Sequence, residues 1–127
     1  MTDVVLDASA ILARILHEPG GQVVEGVMLT ARVSAVNLAE VASRLVDKGR
    51  TDDVIQALLD ELPCEIEPFG PAEARRVGQM RRATKSAGLS LGDRACLELA
   101  ARLAIPVLTA DRVWAELDLG VEVVLIR

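Results

Sequence analysis

The chain is poor in aromatic residues: among 127 positions it has one Phe (Phe69), one Trp (Trp114) and no Tyr. Since 51% of the residues are hydrophobic, the core has to be built from Val, Leu, Ile and Ala. Histidine is also scarce. The single His17 falls in the turn "HEPGG" and reads as a solvated helix-end residue, which leaves no obvious histidine general base. Cys64 and Cys96 are the only cysteines; neither lies in a ligand spacing, so both read as buried free thiols. No apolar run approaches the roughly 18 residues needed to span a bilayer. Met1-Thr2-Asp3 leads directly into a strand, without a basic region or cleavage site. The expectation is a soluble cytoplasmic protein with no membrane partner. The net charge of −5 argues against a general, non-specific nucleic-acid binder, which would normally be basic. It does not exclude an enzyme whose carboxylates hold divalent metals, because bound ions offset part of that charge.

The length suits one domain, residues 1–127, able to bury roughly two thirds of its unfolded surface. Strand and helix patterns alternate from end to end. Val4–Asp7 reads as a buried strand followed by a helix over Ser9–Leu16. A second short helix over Gln22–Leu29 follows the Pro-Gly break, and Arg32–Ser34 reads as a strand. Ser34 is the expected N-cap of a helix that ends near Lys48 and Gly49. Val54, Ile55, Leu58, Leu59 and Leu62 recur at i, i+3/i+4, which predicts a further helix stopped by Pro63. Cys64–Glu67 alternates apolar with acidic, as a strand with one covered face would. Ala72–Ala87 reads as one basic helix closed by Gly88, and "SLGDRACLELAARL" as another helix. "PVLTA", Arg112–Leu117 and Val121–Ile126 complete the series as strand, short helix and strand. Short strands alternating with helices predict an α/β fold, a parallel sheet covered on both faces. Ligands of such sheets bind beyond the carboxyl ends of the strands, where strand order reverses.

Two strands end on a carboxylate: "VVLDASAIL" at Asp7 and "VLTAD" at Asp111. Each could simply cap the helix that follows it. Asp93, three residues after Ser90, fits the acidic end of a capping-box-like start. Glu40 lies in the second turn of its helix among apolar neighbours, with Asn37 and Arg44 on the same narrow polar stripe. Its plain reading is a surface pair with Arg44. Taken together, the four carboxylates point to one end of one sheet. Close-packed, they would raise one another's pKa unless a cation neutralised them. An oxygen-only set suits Mg²⁺ or Mn²⁺ and not Zn²⁺. Ser9 and Thr109, each two residues from a carboxylate, are placed to hold ligands or water beside it, and Asn37 shares Glu40's stripe.

The blocks "VVLDASAIL", "NLAEV", "LSLGDRACLELA" and "VLTADRVW", in this order and separation, resemble a PIN-domain ribonuclease of the VapC type, the toxin of a bacterial toxin–antitoxin pair. The resemblance covers essentially the whole chain. It implies a three-layer α/β/α domain with a five-stranded parallel sheet. It also implies an Mg²⁺- or Mn²⁺-dependent endoribonuclease whose acidic residues are Asp7, Glu40, Asp93 and Asp111. A cognate VapB-type antitoxin and a homodimer are implied as partners, with tRNA or ribosomal RNA as the substrate class. Asp7 and Asp93 would hold the main ion; Glu40 and Asp111 would hold a second ion or orient the attacking water.

One basic cluster, on "EARRVGQMRRATK", offers phosphate contacts through Arg75, Arg81, Arg82 and Lys85, although a solvated helix face explains it equally. With so few aromatics, base stacking is not the main source of recognition; Trp114 reads as a core filler. A receiver domain is excluded because the first strand ends on Asp7 alone, the third gives "EIEPFG" and the last ends "VVLIR". A phosphatase with a D-x-D motif is excluded by Ser9. The surviving alternative is a PIN-like interaction module that has kept the fold and lost the chemistry.

Overall fold

Five parallel strands form one sheet in the order β3-β2-β1-β4-β5. The computed structural model describes residues 3–127; Met1 and Thr2, on which part of the N-terminal expectation falls, lie outside the described residues. The strands are β1 (Val4–Leu6), β2 (Ala31–Ser34), β3 (Glu65–Glu67), β4 (Val107–Thr109) and β5 (Val123–Leu125). The helices are α1 (Ala8–Ile15), α2 (Gly21–Glu25), α3 (Ala35–Asp47), α4 (Asp52–Asp60), α5 (Pro71–Gln79), α6 (Arg81–Thr84) and α7 (Leu91–Leu103). Two short 3₁₀ turns, Met28–Thr30 and Arg112–Glu116, complete the set. Register pairs Val4 with Ala31, Val5 and Leu6 with Val107 and Leu108, and Val107 with Val123.

Strand alternation explains the layers. Val4 and Leu6 face a core shared with Ile11 of α1, Val24 of α2, Val41 and Leu45 of α3 and Ile55 of α4. Val5 and Val107 face the opposite core, with Cys96, Leu97 and Leu99 of α7 and with Trp114. Successive residues of a strand point to opposite faces, so a strand buried on both sides reads as an unbroken apolar run. Leu6, Ile11 and Leu45 are fully buried, and truncating any of them to Ala costs about 2–5 kcal/mol. Trp114 is fully buried as well, so it fills the core as expected. The apolar residues of the second helical segment and of α4 also turn inward: Val24, Met28, Ile55 and Leu62 are buried, and Val23 and Val54 stay exposed.

The helix starts follow from local chemistry. Ser34 Oγ accepts from Val36 N (3.2 Å) at the start of α3. Thr51 caps α4 through Val54 N (3.4 Å), with Asp52 and Asp53 in the first turn favoured by the helix dipole. Gly20, at φ +92°, sits where an added Cβ would lie 2.5 Å from the Ile126 carbonyl oxygen, so the turn into α2 needs glycine for conformation and for space.

Three elements depart from the sequence reading. The short helix expected over Gln22–Leu29 ends at Glu25, where Gly26 follows, and a separate 3₁₀ turn covers Met28–Thr30. The basic helix expected over Ala72–Ala87 is broken into α5 and α6 at Met80. Gly78, a poor helix former, lies beside the break, and the Val77 carbonyl accepts from Arg94 Nη1 (3.0 Å) on α7. β3 is shorter than expected and lies at a sheet edge, and Ile66 is 38% exposed, so its apolar positions do not share one covered face. Its acidic residues instead meet Arg32 on β2, at 3.4 Å for Glu65 and 2.8 Å for Glu67. α5 is tied to α7 by the buried Glu98, whose Oε2 accepts from Arg76 Nε and Arg102 Nε, each at 3.0 Å.

Candidate active site

Strand order reverses between β1 and β4, and their carboxyl ends lie side by side. Asp7 directly follows β1, and its N–H donates to the Leu108 carbonyl (3.3 Å). Only 6% exposed, its carboxylate is held by three donors. Oδ1 accepts from Ser9 Oγ (2.7 Å) and from Ala10 N (2.9 Å), the second being the cap of α1. Oδ2 accepts from Thr109 Oγ1 (2.6 Å), across the switch point. Each hydroxyl also accepts from β4's continuation: Thr109 Oγ1 from Asp111 N (3.0 Å), and Ser9 Oγ from Ala110 N (3.0 Å). Burial pushes the Asp7 carboxyl above its ordinary range; the Thr109, Ser9 and Ala10 bonds pull it back, and the Asp93 charge adds to the rise.

Asn37 joins the second pair of elements. It is buried in the first turn of α3, and its Nδ2 donates to Glu40 Oε1 (2.8 Å) and to the Gly92 carbonyl (3.0 Å) at the start of α7. Its Oδ1 is buried without a partner. Glu40 lies so close to α7 that a Cβ on Gly92 would stand 2.0 Å from its Oε1. Position 92 is therefore glycine for space, not for conformation. Glu40 makes no ion pair with Arg44 among the described residues, so the surface-pair reading does not hold. Asp93 closes a reciprocal capping box, with Ser90 N to Asp93 Oδ2 at 2.9 Å and Asp93 N to Ser90 Oγ at 3.1 Å. Asp111 caps the following 3₁₀ turn through Val113 N (3.0 Å).

The capping readings of Asp7, Asp93 and Asp111 are thus correct. They do not exclude the cluster, because Asp7, Glu40, Asp93 and Asp111 also line one cleft of about 320 Å³, together with Ser9 and Asn37. Thr109, fully buried, reaches this cleft only through Asp7 and Ser9. The charges of Asp7, Asp93 and Glu40 all act on the buried Cys96, whose thiol is pushed well above its ordinary range by burial first and then by these carboxylates. Among the described residues, no three His, Cys, Asp or Glu side chains converge tightly enough to hold an ion as they stand. The donors nevertheless fit a hard cation. Asp93 and Asp111 each commit one oxygen to a cap and Glu40 one to Asn37, which leaves a second oxygen on each, and the unpartnered Asn37 Oδ1 adds a neutral one.

Sequence reasoning missed the cations of this cleft. Arg44, Lys48 and Arg127 line it, and none of Arg75, Arg81, Arg82 or Lys85 does. The signal was present in the i, i+4, i+8 spacing of Glu40, Arg44 and Lys48. Arg127 is engaged by the Pro19 carbonyl (2.8 Å) and lies 3.7 Å from Glu18.

Ligands of a parallel α/β sheet bind over its switch point, and here that place holds an acidic cleft. The PIN domain family model matches residues 4–119. The chain belongs to the PIN domain family, and the resemblance read from the four sequence blocks is borne out. Among solved structures, it is similar to the DNA-bound VapBC of Salmonella typhimurium (TM-score 0.76, 16% identity, 100% of both chains covered). It is also similar to VapBC-5, a VapBC-family toxin–antitoxin member from Mycobacterium tuberculosis (TM-score 0.62, 27% identity, 100% of this chain and 99% of that one). Mycobacterium tuberculosis VapC20, described as a sarcin-ricin loop cleaving toxin, aligns with TM-score 0.69 at 12% identity over 90% of this chain and 95% of that one. A comparison with curated proteins returns no match. No helix among the described residues is long and apolar enough to cross a membrane.

Proposed function

We propose that the chain is the toxin of a toxin–antitoxin pair, a metal-dependent endoribonuclease that hydrolyses RNA phosphodiesters. The observation carrying this reading is the shared cleft of Asp7, Glu40, Asp93 and Asp111, four carboxylates from four separate segments, beside an unpartnered buried amide oxygen. Carboxylates so arranged repel one another and any phosphate, so the cleft handles RNA only when a cation sits among them. Asp7 and Asp93 would hold Mg²⁺ or Mn²⁺, with Glu40 and Asp111 holding a second ion or orienting the attacking water. When bound, the ion would lower the pKa of water and offset charge on the phosphate. The Ser9 and Thr109 hydroxyls hold the Asp7 carboxyl in place and favour its ionised form against the rise that burial imposes. Asn37 holds Glu40 against α7, and the caps at Asp93 and Asp111 limit their movement. tRNA or ribosomal RNA is the expected substrate class. A VapB-type antitoxin would restrain the enzyme, a homodimer is the expected assembly, and the cytoplasm is the expected location.

The test is cleavage of total bacterial tRNA and ribosomal RNA by the antitoxin-free protein, with Mn²⁺, Mg²⁺ or EDTA. Asp93→Asn is the companion variant, because an amide oxygen keeps the cap that Asp93→Ala would lose. Discrete fragments that vanish with EDTA and with the substitution support the nuclease. Absence of both cleavage and Mn²⁺-induced thermal stabilisation refutes it and leaves the interaction module.

A further inference from the structure

The cleft is not uniformly acidic. Glu40 and Arg44 on α3 and Lys48 at its C-cap recur every four residues, and all three line it. Each step advances the backbone about 6 Å along the helix axis, so Arg44 and then Lys48 lead away from Glu40. Most of the protein's buried or half-buried arginines are occupied: Arg32 by Glu65 and Glu67, Arg76 by Glu73 and Glu98, Arg102 by Glu98. Arg44 and Lys48 are exposed, and neither side chain makes an ion pair or hydrogen bond among the described residues, although Glu40 is four residues N-terminal to Arg44, the favourable order for a helical pair. Arg75, Arg81, Arg82 and Lys85 are exposed without such partners too, but of these six cations only Arg44 and Lys48 line the acidic cleft.

The reason lies one turn earlier. Asn37 Nδ2 takes Glu40 Oε1 at 2.8 Å, and the absent side chain of Gly92 gives that carboxylate its place against α7. Asn37 and Gly92 together draw Glu40 away from Arg44. A cation left unpaired at the wall of an acidic cleft lacks the internal partner that its neighbours supply elsewhere.

From this geometry we infer that Arg44 and Lys48 form a phosphate track that binds the strand flanking the scissile phosphate of a single-stranded RNA. The inference rests on the nuclease reading above and assigns that site its substrate-positioning residues. Two cations at one-turn intervals match a polyanion with regularly repeated charge, and Arg offers the paired donors that grip phosphate oxygens. The track also gives the cleft a direction: RNA enters along α3 and meets the carboxylates at the carboxyl ends of β1 and β4. In this arrangement the basic residues of α5 and α6 are not part of the substrate path.

The test measures binding, not turnover. Fluorescence anisotropy of a labelled, mixed-sequence single-stranded RNA is followed in Mg²⁺ on an Asp111→Asn background, across about 50 to 300 mM salt. Each lost phosphate contact on a single strand lowers the salt slope by about 0.7. Arg44→Ala/Lys48→Ala is therefore expected to reduce the slope by about 1.4 and weaken binding about 25-fold near 0.1 M salt. Arg44→Lys/Lys48→Arg should retain most of the slope, whereas Arg75→Ala/Arg81→Ala should leave it unchanged. An unchanged slope in the Arg44→Ala/Lys48→Ala protein, with the parent still binding, overturns this inference and leaves the nuclease reading standing. If that unchanged slope comes with weakened binding of the purified antitoxin, the pair belongs to the protein partner instead. A parent that binds no RNA overturns both.

Discussion

Replacing Thr109 with Val changes little in shape but removes the hydroxyl that joins Asp7 on β1 to the β4 side of the switch point. The lost bond, 2.6 Å to Asp7 Oδ2, goes to a charged, buried acceptor, and bonds of that kind are worth about 1.5–3 kcal/mol. The Asp111 N–H, which donates to the Thr109 hydroxyl oxygen at 3.0 Å, loses its acceptor and adds a smaller penalty. For a domain of this size the expected fall in Tm is about 6–12 °C. Urea unfolding of wild type, Thr109→Val and Thr109→Ser would measure it. Thr109→Ser keeps the hydroxyl and loses one methyl, about 1 kcal/mol, so it should be the milder change. The pH dependence separates the bond from simple packing. The Thr109 bond lowers the Asp7 pKa against the rise imposed by burial, so in Thr109→Val that carboxyl titrates higher still. The gap between wild type and variant is then fully present above the variant's Asp7 pKa. It shrinks as pH falls through the variant's value and then the wild-type value, which itself lies above 3.8. A pH-independent gap, or Thr109→Ser as costly as Thr109→Val, would refute the reasoning.

Asp7 itself provides a converse case. Its folded-state pKa is raised chiefly by burial, so its contribution to stability is fully present below its ordinary value and is lost as pH rises through the raised one. Relative to wild type, Asp7→Asn should therefore be better tolerated at neutral pH than in acid, while abolishing RNA cleavage; calorimetry across pH checks the sign, and a variant that gains on wild type as pH falls contradicts the assignment. Gly92→Ala should expel Glu40 from its place against α7, since the new Cβ would lie 2.0 Å from Oε1. The expected result is a 10–100-fold loss of Mn²⁺ affinity by titration calorimetry, with a stability cost of about 1–2 kcal/mol. In a Glu40→Ala background the same substitution should be nearly neutral or stabilising; equal damage in both backgrounds would show that the clash is elsewhere.

The layered α/β plan was legible because strand and helix periodicities differ and because buried parallel strands are uniformly apolar. Val4–Leu6 and Val107–Thr109 stood out for that reason. β3 was harder. An edge strand paired on one side is stabilised by cross-strand contacts, and Glu65 and Glu67 answer to Arg32, which is remote in sequence. The long basic helix was misjudged at Met80, because Arg94 takes the Val77 carbonyl from a distance of 17 residues. Periodicity within one segment does not register such a competitor.

Sequence by itself determined most of the secondary elements, the caps at Asp7, Ser34, Ser90 and Asp111, and the carboxylates that end two strands and begin two helices, because propensity, capping and alternation are local chemistry. It also determined the family, through four blocks in order. Only the tertiary structure decided which side chains meet. Thr109 reaches Asp7 across 102 positions and Asn37 reaches Gly92 across 55, contacts set by strand order and helix packing. The same packing seats Glu40 against a residue with no side chain, and so leaves Arg44, at the wall of the cleft, without an ion pair among the described residues.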